Sequence, residues 1–254
     1  MSRDAVLKAV AAGTSLEGAS LEGLCLVGED LSDAFLGDAW LSSTDLSGAN
    51  LSNAYLNGAV LEHANFAGAN LEGVRIDFAT WDRADLTGAN LTRASLRYAQ
   101  GANVVFNDAN LTDAKLQFAE LTRVSMRCAN LNGAFGYRAQ LIDADLANAR
   151  CAGATFTRAM LQGAQLASAD LREAVFIAAD LSGATLIDAD LREADLGFAN
   201  LTEADLTGAR LSAADLSHVV LTGANLTGVT LDRADLTNAN ITGARMPIDW
   251  ETRN

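Results

Sequence analysis

The chain has 254 residues, half of them hydrophobic and only 6% aromatic, with a net charge of -14 and a pI of about 4.4. An acidic field of this size disfavours generic binding to nucleic acid or to an anionic membrane. No apolar run is long enough to span a membrane, and no charged-then-apolar signal peptide opens the chain. We therefore expect a cytoplasmic protein whose partners are other proteins.

The first predicted element is a short capping α-helix within residues 1–13. Ser2 can act as the N-cap, Asp4 falls in the first turn, and Gly13 suits the position just after a helix ends. We expect this helix to cover the apolar end of a single long domain over residues 14–246, which a tail at 247–254 follows.

A five-residue unit, Ala-Asp/Asn-Leu-x-x, then repeats from Leu16 to Met246 without an insertion. Its clearest stretch runs from Leu186 to Asn200. On an α-helix a five-residue step rotates the leucine by about 140°, which spreads the leucines around the whole cylinder. On one long strand the odd period moves the leucine to the opposite face at every repeat. The chain must therefore turn once per repeat, with Ala and Leu pointing inward.

This unit resembles the consensus of the pentapeptide-repeat family: a small residue, Asp or Asn, Leu or Phe, and two variable residues. The resemblance covers nearly the whole chain. It implies an all-β fold, a right-handed quadrilateral β-helix with four repeats per coil and about 12 coils here. Residues twenty apart would then stack on one face of the rod.

Glycine follows the same register. Most of the 21 glycines occupy the second residue after the central one, where a corner favours positive φ. Two central positions are themselves glycine. Gly101 comes one coil after Trp81 and Gly136 one coil before Phe156, which predicts that each glycine makes room for a large inward ring.

The sequence contains no pattern typical of an active site, a metal site or a cofactor site. There is no nucleophile elbow, phosphate loop or metal-ligand spacing, so we expect no enzyme and no cofactor. Of the three cysteines, Cys151 is predicted to fill space in the core, while Cys25 and Cys128 point outward. His63 and His218 are interpreted as isolated, solvated side chains.

Outward aromatic and basic residues collect on one face of the middle coils, with Phe35 and Phe198 further along. Two interpretations stay open: a ladder of stacked rings that stabilises neighbouring coils, or a surface that binds a partner protein. The candidate protein-binding residues are Tyr55, Arg75, Phe78, Arg97, Tyr98, Lys115, Phe118, Phe135, Tyr137 and Arg138.

Charge is divided along the chain in the same way. Residues 1–72 carry a net charge of -8, residues 73–178 carry +1, and residues 179–254 carry -7. On a neighbouring face one asparagine per coil is interpreted as a side-chain amide ladder rather than a recognition site. This column consists of Asn50, Asn70, Asn90, Asn110 and Asn130.

The favoured function is a non-catalytic scaffold: a rigid rod that presents the aromatic and basic middle face to a partner protein. An alternative is a DNA mimic that binds a type II topoisomerase, as gyrase-protecting members of the family are understood to do. The neutral middle and the absence of loops count against it. A third alternative, a secretion-system accessory protein, comes from a weak resemblance over Leu7 to Leu21.

Ile248 and Trp250 either cover the last coil or expose an apolar end through which two copies form a homodimer.

Overall fold

The computed structural model describes residues 1–248 and begins with one helix, α1, at Arg3–Ala11. The hydroxyl of Ser2 caps α1 by accepting a hydrogen bond from the amide of Ala5 at 3.3 Å. Gly13 follows the helix with a φ of +63°. Val6 is fully buried against the first coil, and Arg3 forms an ion pair with Glu29. The helix therefore covers the apolar end of the repeats.

The rest of the described chain is a β-helix with twenty residues per coil. Parallel bridges join residues twenty apart without a break, from the pair Ser20 and Trp40 to the pair Asn225 and Arg245. Four turns separate such partners, so each coil has four sides. In residues 1–248 the β structure consists of these single-residue bridges, because a turn follows each one.

Four of the five backbone amides in a repeat bond to backbone carbonyls, as residues 51–55 illustrate. The amides of Leu51 and Asn53 donate to the next coil at 2.7 and 2.8 Å, and that of Tyr55 donates to the previous coil at 2.9 Å. The amide of Ala54 closes the turn by donating to the carbonyl of Leu51 at 3.0 Å. Only the amide of the first turn residue is left without a backbone partner.

The repeat's own Asp or Asn accepts from this fifth amide. The amide of Ser52 donates to the Asn50 side chain at 3.2 Å, and the amide of Thr87 donates to the Asp85 side chain at 2.9 Å. The side-chain oxygen two residues earlier thus completes the turn. This explains why the position before the central Leu favours Asp and Asn.

The predicted asparagine column is confirmed as an amide ladder. The Nδ2 group of each asparagine donates to the Oδ1 atom of the residue one coil earlier, at 3.0 Å between Asn70 and Asn50 and at 3.2 Å between Asn90 and Asn70. The same Oδ1 atoms also accept from turn amides. Each amide side chain therefore bonds both within its turn and between coils.

Leu and Ala fill the interior as predicted, and the two central glycines do make room for rings. A Cβ on Gly101 would clash with Cδ1 of Trp81, lie 2.9 Å from its Nε1 atom and lie 2.8 Å from Cγ2 of Val104. A Cβ on Gly136 would lie 2.6 Å from Cδ1 of Phe156. The predicted pairing of each central glycine with a large ring one coil away is thus confirmed.

The C-terminal prediction is only partly testable against the described residues. Of the two alternatives for Ile248, its full exposure excludes the cover for the last coil and agrees with the exposed apolar end. Trp250 lies outside the described residues. Within the described chain, no helix combines the length and hydropathy needed to cross a membrane.

Every corner places its second turn residue at positive φ, whether or not that residue is glycine. Gly183 has a φ of +65° and Ala178, one repeat earlier, has a φ of +54°. Side chains other than glycine pay about 1–2 kcal/mol in this left-handed region, which exceeds the entropy cost of glycine, about 0.5–1 kcal/mol. The corners therefore tolerate side chains rather than favour them.

We expect Ala178→Gly to stabilise the protein by about 0.5–1 kcal/mol, since it relieves backbone strain at an exposed site. The matched reverse change, Gly183→Ala, should destabilise by about 1 kcal/mol, although a Cβ there meets nothing within 4 Å. Urea unfolding measures both changes. Equal effects of the same sign would contradict the role of φ.

We expect Gly101→Ala to destabilise the protein by about 1–3 kcal/mol, because the added methyl overlaps Trp81. In a Trp81→Leu background the cost of Gly101→Ala should fall by at least half, leaving the contact with Val104. A double-mutant cycle of unfolding free energies measures this coupling. Additive effects would show that the two residues do not compete for the same volume.

Candidate protein-binding surface

Most of the candidate residues lie in two adjacent columns rather than on one flat face, and Arg97 and Tyr137 occupy the turn position between the two columns. The first, here called the bridge column, follows successive parallel bridges along the rod. The second, the aromatic ladder, follows the corner that comes next in the chain. The bridge column consists of Phe35, Tyr55, Arg75, Ser95, Lys115 and Phe135, and the aromatic ladder of Phe78, Tyr98 and Phe118.

The aromatic ladder is a continuous stack. The ring centroids of Phe78 and Tyr98 are 5.0 Å apart with an interplanar angle of 1°, and those of Tyr98 and Phe118 are 4.9 Å apart at 0°. The spacing of the rings follows the distance between stacked strands, about 4.8 Å. The stacked geometry that the ladder interpretation predicts is thus present. Phe78 is nevertheless 62% exposed and Tyr98 is 44% exposed, whereas Phe118 is half-buried, so stacking leaves the first two rings of the ladder in contact with solvent.

Tyr137 and Arg138 extend this aromatic surface at its C-terminal end. Tyr137 meets Phe118 edge-on, with centroids 5.5 Å apart and an interplanar angle of 82°. The guanidinium carbon of Arg138 lies 5.5 Å from the centroid of the Tyr137 ring, within cation–π range. The ladder therefore ends in a cation packed on a ring.

A groove of about 280 Å³ lies beside the ladder and contains the middle of the bridge column. Arg97 lines this groove and precedes Tyr98 in the chain, so groove and ladder are adjacent. Phe135 lies one coil beyond Lys115 in the bridge column and is 44% exposed. The groove is lined by Tyr55, Asn57, Arg75, Asp77, Ser95, Arg97 and Lys115.

The cations of this groove lack acidic partners. Arg75, Arg97 and Lys115 form no ion pair with any residue in the described range 1–248. Elsewhere on the rod Arg172 and Asp170 approach to 2.7 Å, and hydrogen bonding from Arg172 lowers the pKa of that carboxyl group. With three cations and one carboxylate in its lining, the groove carries a net positive charge on an acidic protein.

Asp77 is the one acidic residue that lines the groove, and its carboxylate is hydrogen-bonded within the fold. Its Oδ1 atom accepts hydrogen bonds from the amide of Arg97 at 2.9 Å and from the hydroxyl of Ser95 at 2.5 Å. The amide of Asp77 donates in turn to Oδ1 of Asn57 at 3.0 Å. Asn57 and Asp77 thus perform the role that the repeat's own Asp or Asn performs in other turns.

This substitution compensates for the absence of Asp or Asn at positions 75 and 95. Arg75 and Ser95 stand where an Asp or Asn would accept from the amide two residues later. A side chain from the previous coil accepts that bond instead, so both turn amides stay satisfied. Asn107 performs the same role for Arg127, so the substitution is also used outside the groove.

A ring contact of His218 was missed from the sequence. His218 is exposed, as expected of a solvated side chain, but its ring stacks on Phe198 with centroids 4.5 Å apart and an interplanar angle of 3°. Asn238, one coil further, approaches His218 Nε2 at 3.5 Å. The twenty-residue spacing between Phe198 and His218 was the available signal.

The cysteines lie where the register predicted. Cys151 is buried, whereas Cys25 and Cys128 are exposed. Burial raises the pKa of the Cys151 thiol to about 12, and the nearby charge of Asp170 adds to the effect. Among the residues that the structure describes, no cluster of His, Cys, Asp or Glu could hold a metal ion.

We expect a thiol reagent at about pH 8 to label Cys25 and Cys128 in the native protein, and Cys151 only after unfolding. Cys151 stays protonated below its raised pKa, and its sulfur is shielded from the reagent. Mass spectrometry of native and denatured samples measures the labelling. Labelling of Cys151 in the native protein at the rate of Cys128 would contradict its burial.

The family model for pentapeptide repeats matches the chain in eight copies that cover most of its length. The matched residues are 39–77, 72–100, 105–135, 137–172, 169–208 and 209–246. The chain therefore belongs to the pentapeptide-repeat family. None of the curated proteins compared with the chain matches it.

Several solved structures of pentapeptide-repeat proteins resemble the chain. HetL, which is involved in the regulation of heterocyst differentiation in the cyanobacterium Nostoc sp. strain PCC 7120, is 32% identical over 98% of both chains, with a TM-score of 0.31. Full-length QnrB1, a plasmid-mediated fluoroquinolone resistance protein, is 17% identical over 92% of this chain and 96% of its own, with a TM-score of 0.32. A protein from the Arabidopsis thaliana thylakoid lumen is 37% identical over 40% of this chain and 70% of its own, with a TM-score of 0.25. With TM-scores this low, the family assignment depends on the repeat sequence and not on superposition.

Proposed function

We propose that the protein is a non-catalytic scaffold, a rod of about 12 right-handed coils that binds a partner protein through its middle. The observation that carries this proposal is the juxtaposition of the exposed aromatic ladder with a groove of unpaired cations. Exposed rings beside arginine are the side chains that dominate the energetics of protein interfaces.

The division of charge along the rod supports the same surface. The ends carry net charges of -8 and -7, whereas the middle is nearly neutral and contains the ladder and the groove. Strongly acidic ends repel most other acidic proteins, so a partner of ordinary charge approaches the middle with the least electrostatic penalty. The aromatic ladder then offers flat apolar area with little conformational entropy to lose.

The acidic ends are the observation that favours the alternative of DNA mimicry. A surface that occupies a DNA-binding site needs carboxylates along its whole contact, because the phosphates that it replaces are evenly spaced. Here the charge is interrupted by the middle coils, which carry unpaired cations. We therefore favour the scaffold. A gyrase supercoiling assay with a quinolone tests the alternative, and relief of inhibition at stoichiometric protein would support it.

The scaffold is tested by replacing the ladder, with Phe78→Ala, Tyr98→Ala and Phe118→Ala combined. We expect this variant to lose capture of the partner from an extract of the source organism, because the apolar anchors of the interface are gone. Removing the two ring stacks and the edge contact with Tyr137 should cost about 1.5–4.5 kcal/mol of stability, too little to unfold the rod. Affinity capture with mass spectrometry and a thermal melt measure the two effects.

Phe198→Ala is the matched control. Phe198 is 60% exposed, occupies the same corner and stacks on a ring one coil away, but it lies outside the middle coils. This variant should lose a similar amount of stability per stack and keep the partner. A partner captured equally by wild type and by the triple variant would show that the ladder only stabilises the rod.

A further inference from the structure

We propose that the groove of the bridge column binds an extended acidic segment of the partner, with carboxylates in its middle and apolar side chains towards its two ends. The inference rests on the proposed function, because it names the chemistry that the partner would bring to this surface. It depends on the groove beside the aromatic ladder and not on the ladder itself.

The charges of the groove select an anionic ligand. Arg75, Arg97 and Lys115 line one groove, and each lacks an ion pair among residues 1–248. The only carboxylate that lines the groove, Asp77, accepts hydrogen bonds from the backbone and from Ser95. Guanidinium groups bind carboxylates in a planar, two-bonded geometry, which a partner's Asp or Glu can satisfy. A partner's carboxylate that enters the groove would lie near these three cations and near one anion, Asp77, which is already hydrogen-bonded within the fold.

The order of residues along the bridge column gives the ligand its pattern. Phe35 and Tyr55 precede the cations and Phe135 follows them, and all three rings are exposed. The ring of Tyr55 lies over Gly37, where a Cβ would come within 3.2 Å of the ring atom Cε1. The column therefore reads apolar, basic, apolar along the rod.

The dimensions suit an extended peptide that runs along the rod. Arg75 and Lys115 are two bridges apart, about 9.6 Å at the spacing of stacked strands. Carboxylates on alternate residues of an extended chain are about 7 Å apart, which flexible Arg and Lys side chains can span. From Phe35 to Phe135 the column covers five bridges, about 24 Å, the length of about seven extended residues.

The acidic ends favour a short peptide over a nucleic acid. A polyanion longer than the groove would approach the acidic segments on either side of the middle, residues 1–72 and 179–254, whose net charges are -8 and -7, and would be repelled. A short acidic segment with apolar ends confines its charge to the middle coils. Its end residues meet the exposed rings instead.

The test uses the full-length protein and a fluorescent synthetic peptide of about eight residues, with Leu near each end and Glu at alternate middle positions. A second peptide carries Gln in place of Glu. Fluorescence anisotropy at low salt should show binding of the Glu peptide at least about tenfold tighter than that of the Gln peptide. Added salt should weaken binding, since partly exposed charges carry the selectivity.

The groove variant combines Arg75→Gln, Arg97→Gln and Lys115→Gln, which keep much of each aliphatic stem. It should bind the Glu peptide at least about tenfold more weakly. The control variant combines Arg83→Gln, Arg123→Gln and Arg233→Gln, which remove the same charge from other corners of the rod. The control should keep binding within about twofold, because screened charges outside the groove contribute little. Circular dichroism verifies that both variants fold.

Three results would overturn the inference: equal binding of the Glu and Gln peptides, an equal loss in the groove and control variants, or tighter binding of an oligothymidylate than of the Glu peptide. The ladder variant separates this inference from the proposed function. Loss of the natural partner by the ladder variant, with no Glu-selective peptide binding by wild type, would leave the scaffold intact and remove the acidic segment. If wild type binds the Glu peptide selectively and the ladder variant still captures the partner, the groove's preference for an acidic segment stands and the proposed role of the ladder fails.

Discussion

One backbone amide in each repeat, that of the first turn residue, has no backbone partner, and in many repeats a side chain accepts its hydrogen bond. The usual solution is an Asp or Asn two residues earlier, as in Asn50 and Ser52. In the asparagine column the same oxygen also accepts from the next coil, so one atom links the turn to the stack. The consensus thus reflects hydrogen-bond geometry on the outside of the rod as much as packing on the inside.

In the groove, a side chain of the previous coil accepts the hydrogen bond from this turn amide. Asn57 and Asp77 accept from the turn amides that would otherwise need an Asp or Asn at positions 75 and 95. Position 75 can then carry Arg75, which remains unpaired within the described chain, whereas Arg172 and Arg192 bind their neighbouring aspartates. Stability and recognition are thus assigned to different side chains of the same coils.

The sequence was sufficient for the features that depend on the register, once the family resemblance had supplied four repeats per coil. A five-residue repeat with Leu and Ala inward determines the register, and a twenty-residue offset then relates Trp81 to Gly101. It was not sufficient for contacts that depend on which rotamer an outward side chain adopts. The transfer of the turn bond to Asn57 was not visible, because nothing in the repeat distinguishes it from other residues in the variable positions. His218 was missed because a histidine next to no other ligand was read as solvated, although Phe198 lies one coil earlier.

The twenty-residue register also determines how such a rod can change by insertion or deletion. Loss of one whole repeat keeps Leu and Ala inward but turns everything beyond it by a quarter of a coil relative to everything before it. A single five-residue deletion between Arg75 and Lys115 would move Lys115 to a different side of the rod and leave the interior filled. Loss of a complete coil would shorten the rod and preserve every column. The genetic unit of the core is therefore five residues, whereas that of the surface is twenty.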